Sequence, residues 1–466
     1  MTAFPILNIP DLFNTEQIHQ NRLERIKSNY TSRRQRNRQS PTNSSKISSN
    51  SLDSVSFEKS LTKFCDGAKN RSGHTADQGL TEMIKLLQGV DSIEDGVISL
   101  LQDNSYFKWA DPCINPDHPT LVHHVIQLNA KLAYLSTPIV TMMIENQTIS
   151  RLSDFFLTTS WSKEVFSDLM DFFSNVCSDS PEARMLTYGK GVFDSLCNIL
   201  VQTNETETLL LTTMCINSFF PDAQLVVEDH IADTMLVPVR SLIERFIEQQ
   251  TTDKTAGDIL YYALSALSKF CTTRENISNT VKVGLANQIL SVANVIARPD
   301  TLDIILETIS VILSANDTTI FETIQADINL EFLIKKGGRV ICDILVSLFI
   351  ADETFVVPAL SLDAIHMALP ILEYGQYEEK LSAALMLAAA SLRANRSVVE
   401  EYFMDENLIR ELLDFWKDEQ KQPIVAALDK LKDVAKQNIS VDTKYDSLLV
   451  LFRDYGFIAE DSTGSA

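Results

Sequence analysis

The side chains that could do chemistry in this chain are few, and their spacing works against most of it. His123 and His124 are adjacent, and adjacent helical residues point away from one another, so the pair does not form a metal ligand set. The seven cysteines stand at positions 65, 113, 177, 197, 215, 271 and 342, and the closest two are 18 residues apart. That leaves no CxxC or zinc-knuckle spacing. No Ser/His/Asp or Cys/His grouping sits in a context such as GxSxG. The phosphate-cradling loops GxGxxG and GxxxxGK[ST] are absent. A protein without catalysis, without a metal and without a cofactor is the expectation.

Charge is the remaining resource, and it is unevenly spread. The whole chain carries −22, but residues 1–50 hold eight Lys/Arg against three acids, which makes them +5 and the rest −27. The basic run is Arg22, Arg25, Lys27, Arg33, Arg34, Arg36 and Arg38. An acidic body repels nucleic acid and attracts basic peptides. The cysteines mostly lie in apolar helical stretches, where a reduced thiol acts as a small hydrophobe, so free thiols and a cytoplasmic or nuclear location are expected. Met1–Pro10 lacks the charged start and long apolar core of a signal peptide. The longest apolar run, Leu381–Leu392, is too short for a membrane span.

The elements that would position these charges are helices. With only 14 Gly and 14 Pro in 466 residues, tight β-turns are scarce and long helices with short joints are favoured. Leu260, Leu264, Leu267 and Cys271 follow the i, i+4, i+7, i+11 stripe of one buried face. Breaks at Ser178–Pro181, Ala297–Pro299 and Gly337–Gly338 supply the turns. A helix of similar pattern recurs, marked by Lys131, Asn175, Asn217, Ala266, Val311, Ser347, Ala388 and Asp433; these span 302 residues in seven steps, a mean of about 43. That period belongs to the armadillo/HEAT range, in which each unit covers its apolar face only by stacking on its neighbours. The predicted fold is all-α: a right-handed α-solenoid of about eight armadillo repeats behind a flexible basic arm. The expected organisation is an arm at 1–40, a serine-rich linker at 41–74, repeats at 75–459 and a disordered tail at 460–466. Ser40–Ser56, with eight serines in 17 residues, carries too little apolar surface to fold by itself.

Taken in order, these segments resemble the importin-alpha family. Ser174 through Leu200 is similar to that family's second-repeat pattern, and Tyr262–Ser268 (YALSALS) to its WALSYLS. Ile305–Asp317 and Pro423–Ala435 resemble later repeats, and Arg22–Arg38 resembles the front half of its importin-beta-binding segment. In that family a Trp and an Asn one helical turn apart project from each repeat into a groove that holds basic signal peptides. The corresponding pairs here read Gln127/Lys131, Asp171/Asn175, Thr213/Asn217, Tyr262/Ala266, Asp343/Ser347 and Ala384/Ala388.

The resemblance implies a nuclear import adaptor, monomeric when free. Basic cargo peptides would meet Asp171, Asn175, Asp179, Thr213, Asn217 and Tyr262, and an importin-beta-type carrier would meet the seven basic arm residues. With the tryptophans gone, cation–π slots of about 0.5–2 kcal/mol each are lost, so binding by charge more than by shape is expected. Blander readings stand beside these. Asn175 either binds peptide or buttresses its neighbouring repeat; Asp179 either pairs with a lysine or caps a helix. The arm is either a docking element or a solvated tail. An armadillo scaffold for cytosolic assembly or signalling is the other functional reading.

Overall fold

A computed structural model of the protein describes residues 12–14, 16–17, 19–24, 52–90, 92–220, 229–416, 422–440 and 442–458. Every regular element among them is an α- or 3-10 helix, and none is a strand. No single helix among the described residues is long and apolar enough to cross a membrane. The chain divides into two compact units, Lys27–Phe270 and a second drawn from Cys271–Ala466 together with Met1–Ile26.

The first unit begins with α1 (Ser54–Lys69) and α2 (Gly73–Leu86), followed by one long helix per repeat: α3 (Pro119–Leu135), α4 (Lys163–Asp179), α5 (Thr206–Ser218) and α6 (Lys254–Phe270). The long helices pack side by side, α2 on α3, α3 on α4, α4 on α5 and α5 on α6. The second unit repeats the arrangement with α7 (Pro299–Ser314), α8 (Arg339–Ala351), α9 (Tyr377–Arg393) and α10 (Gln422–Asn438), again stacked in sequence. The eight positions that marked the 43-residue period fall one on each of α3 to α10. Both units are therefore all-helical armadillo-type stacks.

Local chemistry explains where each long helix stops. Ser180 caps the helix that follows α4, its hydroxyl accepting from Ala183 N at 3.1 Å with Pro181 at the first helical position. Thr273, Asp317 and Asn395 do the same after α6, α7 and α9. Gly337 and Gly338 adopt φ of +64° and +99° ahead of α8, a conformation that suits glycine. Other helices lie between successive members of the α3–α10 series, mostly shorter ones, with Asp229–Phe246 at 18 residues the exception. The predicted stripe Leu260, Leu264, Leu267 and Cys271 is buried, and the paired phenylalanines join successive layers. Phe193 meets Phe219 and Phe220 with centroids at 5.2 and 5.9 Å, and Phe220 meets Phe270 at 6.2 Å. All seven cysteines are free and buried, and burial pushes the Cys177 and Cys271 thiols up to about 12.

One boundary differs from the sequence expectation. Residues 41–74 were expected as linker, yet α1 lies within them, with Phe57, Leu61 and Phe64 fully buried. The serines of this stretch obscure an i, i+4, i+7 apolar stripe, and Asp53 starts the helix by accepting from Ser56 N at 3.2 Å. Gly79 lets α2 approach α1 closely: a Cβ there would sit 2.6 Å from Phe64 N.

Candidate functional site

In the first unit the predicted binding residues sit on the long helices, but most are already engaged. Asp171, Asn175 and Asp179 fall at i, i+4 and i+8, one face of α4. Asp171 is exposed. Protein on its flanks still strips enough water, with the Asp168 carboxylate adding to it, to push its acid up to about 6. Asn175 Nδ2 donates to Ala130 O of α3 at 3.0 Å, which is the buttressing role. Asp179 accepts from Thr137 Oγ1 at 3.4 Å; the helix cap of that turn is Ser180, so the capping reading of Asp179 is corrected.

On α5 and α6 the picture is similar. Thr213 is 1% exposed, and its hydroxyl donates to Leu209 O at 2.6 Å. It is a core residue and not a groove contact, because i−4 back-bonding satisfies the hydroxyl inside its own helix. Asn217 accepts from Lys269 Nζ through Oδ1 at 2.9 Å and through its carbonyl at 3.2 Å. Tyr262 is half-buried and lies edge-on to Tyr261, centroids 5.2 Å apart.

The adjacent histidines serve a purpose that spacing alone could not suggest. His123 Nε2 stands 2.8 Å from Asp168 Oδ2 of α4, and His124 Nδ1 stands 2.7 Å from Asp77 Oδ1 of α2. Their rings stack with centroids 5.8 Å apart, and between them they tie α3 to both neighbours. No cluster of three or more His, Cys, Asp or Glu able to hold a metal occurs among the described residues.

The second unit contains the principal departure from the sequence reading. Arg22 was expected on a free arm with no apolar anchor; it is 2% exposed. Its Nη1 donates to Ser310 O of α7 at 2.7 Å and to Ser347 Oγ of α8 at 2.8 Å, and its Nη2 donates to Asp343 O at 2.5 Å. Ser347 and Asp343 are the pair that aligns with the family's groove positions. Residues 19–24 are helical, which sets His19, Arg22 and Leu23 on one face. His19 Nδ1 is 2.8 Å from Ser314 Oγ, Phe13 and Leu23 are buried, and Glu16 pairs with Arg274 at 2.9 Å. Arg25, Lys27, Arg33, Arg34, Arg36 and Arg38 lie outside the described residues.

Other seams of the stack hold a cation at the helix ends. Carbonyls near the C-terminal end of a helix carry partial negative charge and favour a cation. Lys269 of α6 serves Asn217 O of α5, Arg393 of α9 serves Phe349 O of α8, and Lys430 of α10 serves Leu392 O and Ala394 O after α9. The helix α8 has no Lys or Arg beyond Arg339 at its start. Arg22 sits elsewhere on the α7–α8 seam, on Ser310 O a turn before the end of α7 and on Asp343 O in the first half of α8. A buried arginine in the second unit had no signal in the sequence beyond the leucine and histidine that flank it.

No protein-family model and no curated protein matches this chain. Solved structures do. A crystal structure of an engineered protein is 12% identical over 85% of this chain and 98% of its own, with a TM-score of 0.66. A designed armadillo-repeat protein is 12% identical over 54% of this chain and 99% of its own, at a TM-score of 0.44 that is too low to argue from. Identity at this level speaks to fold alone. With the helical repeats described above, the chain has an armadillo-type repeat fold.

Proposed function

We propose that this scaffold is an adaptor of importin-alpha type, binding basic segments of cargo on its long helices and docking through its arm on an importin-beta-type carrier in nuclear import. The observation that carries the reading is Arg22 itself: a basic arm residue held across α7 and α8, with Ser347 among its acceptors. Electrostatics favours the same direction, since a body at −27 steers basic peptides toward it. Asp171 and Asp179 are the acidic groups of the first unit best placed to meet a lysine. The arm's remaining arginines would meet the carrier.

The test uses the full chain. Replacing Arg33, Arg34, Arg36 and Arg38 by Glu should abolish capture of an importin-beta-type carrier, and 0.5 M salt should do the same to the unaltered protein, because exposed charge pairs are screened over about 10 Å at 0.1 M. Asp171→Ala with Asp179→Ala should weaken a lysine-rich signal peptide in fluorescence anisotropy. Equal carrier capture by the two proteins would remove the arm's role. Specific observations also favour the second reading, a repeat scaffold for cytosolic assembly or signalling: the Asn175 and Asn217 side chains are bonded within the stack, and Thr213 is buried. Under that reading no carrier is captured and the partner surface is not a basic peptide.

A further inference from the structure

We propose that a cavity beside α7 in the second unit binds the free N-terminus of a polypeptide whose first residue carries a branched aliphatic side chain such as leucine. The cavity lies between Leu285–Val292 and Leu330–Lys336, the helices that precede α7 and α8. None of the residues that hold Arg22 lines it, and the cargo residues lie on the other unit. The proposal stands if the transport reading fails.

Size and lining define the body of the ligand. The cavity measures about 110 Å³, and Leu290, Ala293, Ile309 and Leu333, all buried, give it an apolar floor. An apolar cavity of about 150 Å³ takes a benzene ring. This smaller one takes a smaller group, such as the branched end of a leucine.

The mouth is polar, and its groups are already oriented. Asn287 Nδ2 donates to Asp327 Oδ2 at 2.6 Å and to Thr323 O at 3.0 Å, which holds the carboxylate and leaves Oδ1 for a ligand. Asn329 Oδ1 accepts from Phe332 N at 3.0 Å, so the Nδ2 end of that amide is a donor at the same mouth. The amide of Asn294 lines it too. An α-ammonium fits Asp327, and the first peptide carbonyl fits the two amides.

The position of the charge selects the class of ligand. Asp327 is exposed and the floor is buried, so the ligand's cation belongs at the outer end of its aliphatic part. A lysine side chain entering from a partner would carry its ammonium to the apolar floor, where burial without a partner is costly. A leucine inside a chain brings no cation. An N-terminal leucine bears its ammonium on the same carbon as its side chain, at the mouth. A free amino acid would add a carboxylate, which the acidic body repels, whereas the first carbonyl of a peptide is neutral.

The probe is the peptide Leu-Ser-Gly-Ser-Gly with a free N-terminus and a C-terminal fluorophore, titrated by anisotropy onto the full-length protein. The same peptide acetylated at its N-terminus, and one beginning with glycine, should each bind at least tenfold more weakly. The glycine peptide carries the same charge, so general attraction to the acidic body would not separate the two. Asp327→Asn, which keeps an acceptor for Asn287, should weaken the leucine peptide at least tenfold. Ala293→Leu, which fills the cavity, should abolish its binding, with thermal melting confirming the fold. Free leucine should compete at least tenfold less well than unlabelled peptide. No binding of the leucine peptide would overturn the site. Equal binding of the acetylated peptide would overturn the role of Asp327, and equal binding of the glycine peptide would overturn the role of the cavity. Equal competition by free leucine would overturn the choice of a polypeptide.

Discussion

Arg22 Nη1 stands 2.8 Å from Ser347 Oγ, 325 positions away along the chain. The contact seats a basic N-terminal segment on the second unit, with the guanidinium shared between α7 and α8. Its consequences are measurable.

Arg22→Ala should free the arm helix without unfolding the repeats. Hydrogen bonds to a charged group contribute about 1.5–3 kcal/mol each, and the arm loses several. Even a net loss of about 2 kcal/mol raises the undocked population about thirtyfold. Amide hydrogen exchange over residues 19–24 should quicken by at least that factor, while exchange in α7 and α8 stays slow. Unchanged protection in the arm would show that Phe13 and Leu23 alone hold it.

Arm docking should weaken in acid. Burial lowers the docked His19 from its ordinary 6.5, with Arg22 and Arg274 acting in the same direction and Glu16 opposing them. The undocked histidine therefore takes up a proton first. The contribution of neutral His19 to docking is full above pH 6.5 and is lost progressively as the pH falls below it. Exchange rates over residues 19–24, corrected for the intrinsic effect of pH, should show the loss, and His19→Gln should flatten it.

Gly79→Ala should destabilise the start of the stack. The new Cβ would meet Phe64 N at 2.6 Å and Phe64 Cα at 2.8 Å, and backbone atoms do not move aside as a flexible side chain does. A loss of about 1–3 kcal/mol in chemical denaturation is expected. Gly96→Ala, where nothing lies within 4 Å of the added carbon, is the matched control and should be neutral or slightly stabilising.

Asp171→Asn should raise stability at neutral pH. The carboxyl's acid is pushed up to about 6, by desolvation first and by Asp168 second. The folded state thus holds its proton to higher pH than the unfolded chain does. The aspartate's ionisation is unfavourable to folding above pH 6, and that penalty disappears as the pH falls below the ordinary carboxylate range. A higher melting temperature for the variant at pH 7.5 is expected, with the difference shrinking by pH 4. A constant difference across that range would point to packing instead of charge.

What the sequence by itself determined here is what local rules decide. The 43-residue period placed its eight markers on eight long helices because a buried stripe at i, i+4 and i+7 needs only neighbouring residues to exist. Breaks such as Ser180–Pro181 were legible for the same reason, since a cap and a proline act within one turn. Composition misled at α1, where serines outnumbered an apolar stripe of three residues. The uses of individual polar groups were settled only by tertiary structure. Asn175 reaches Ala130 O across 45 residues, Lys269 reaches Asn217 across 52, and Arg22 reaches Ser310 across 288. A side chain's spacing reports which face of its helix it occupies. The partner that face meets depends on which distant carbonyls the stack leaves open, and those are created only when the repeats come together.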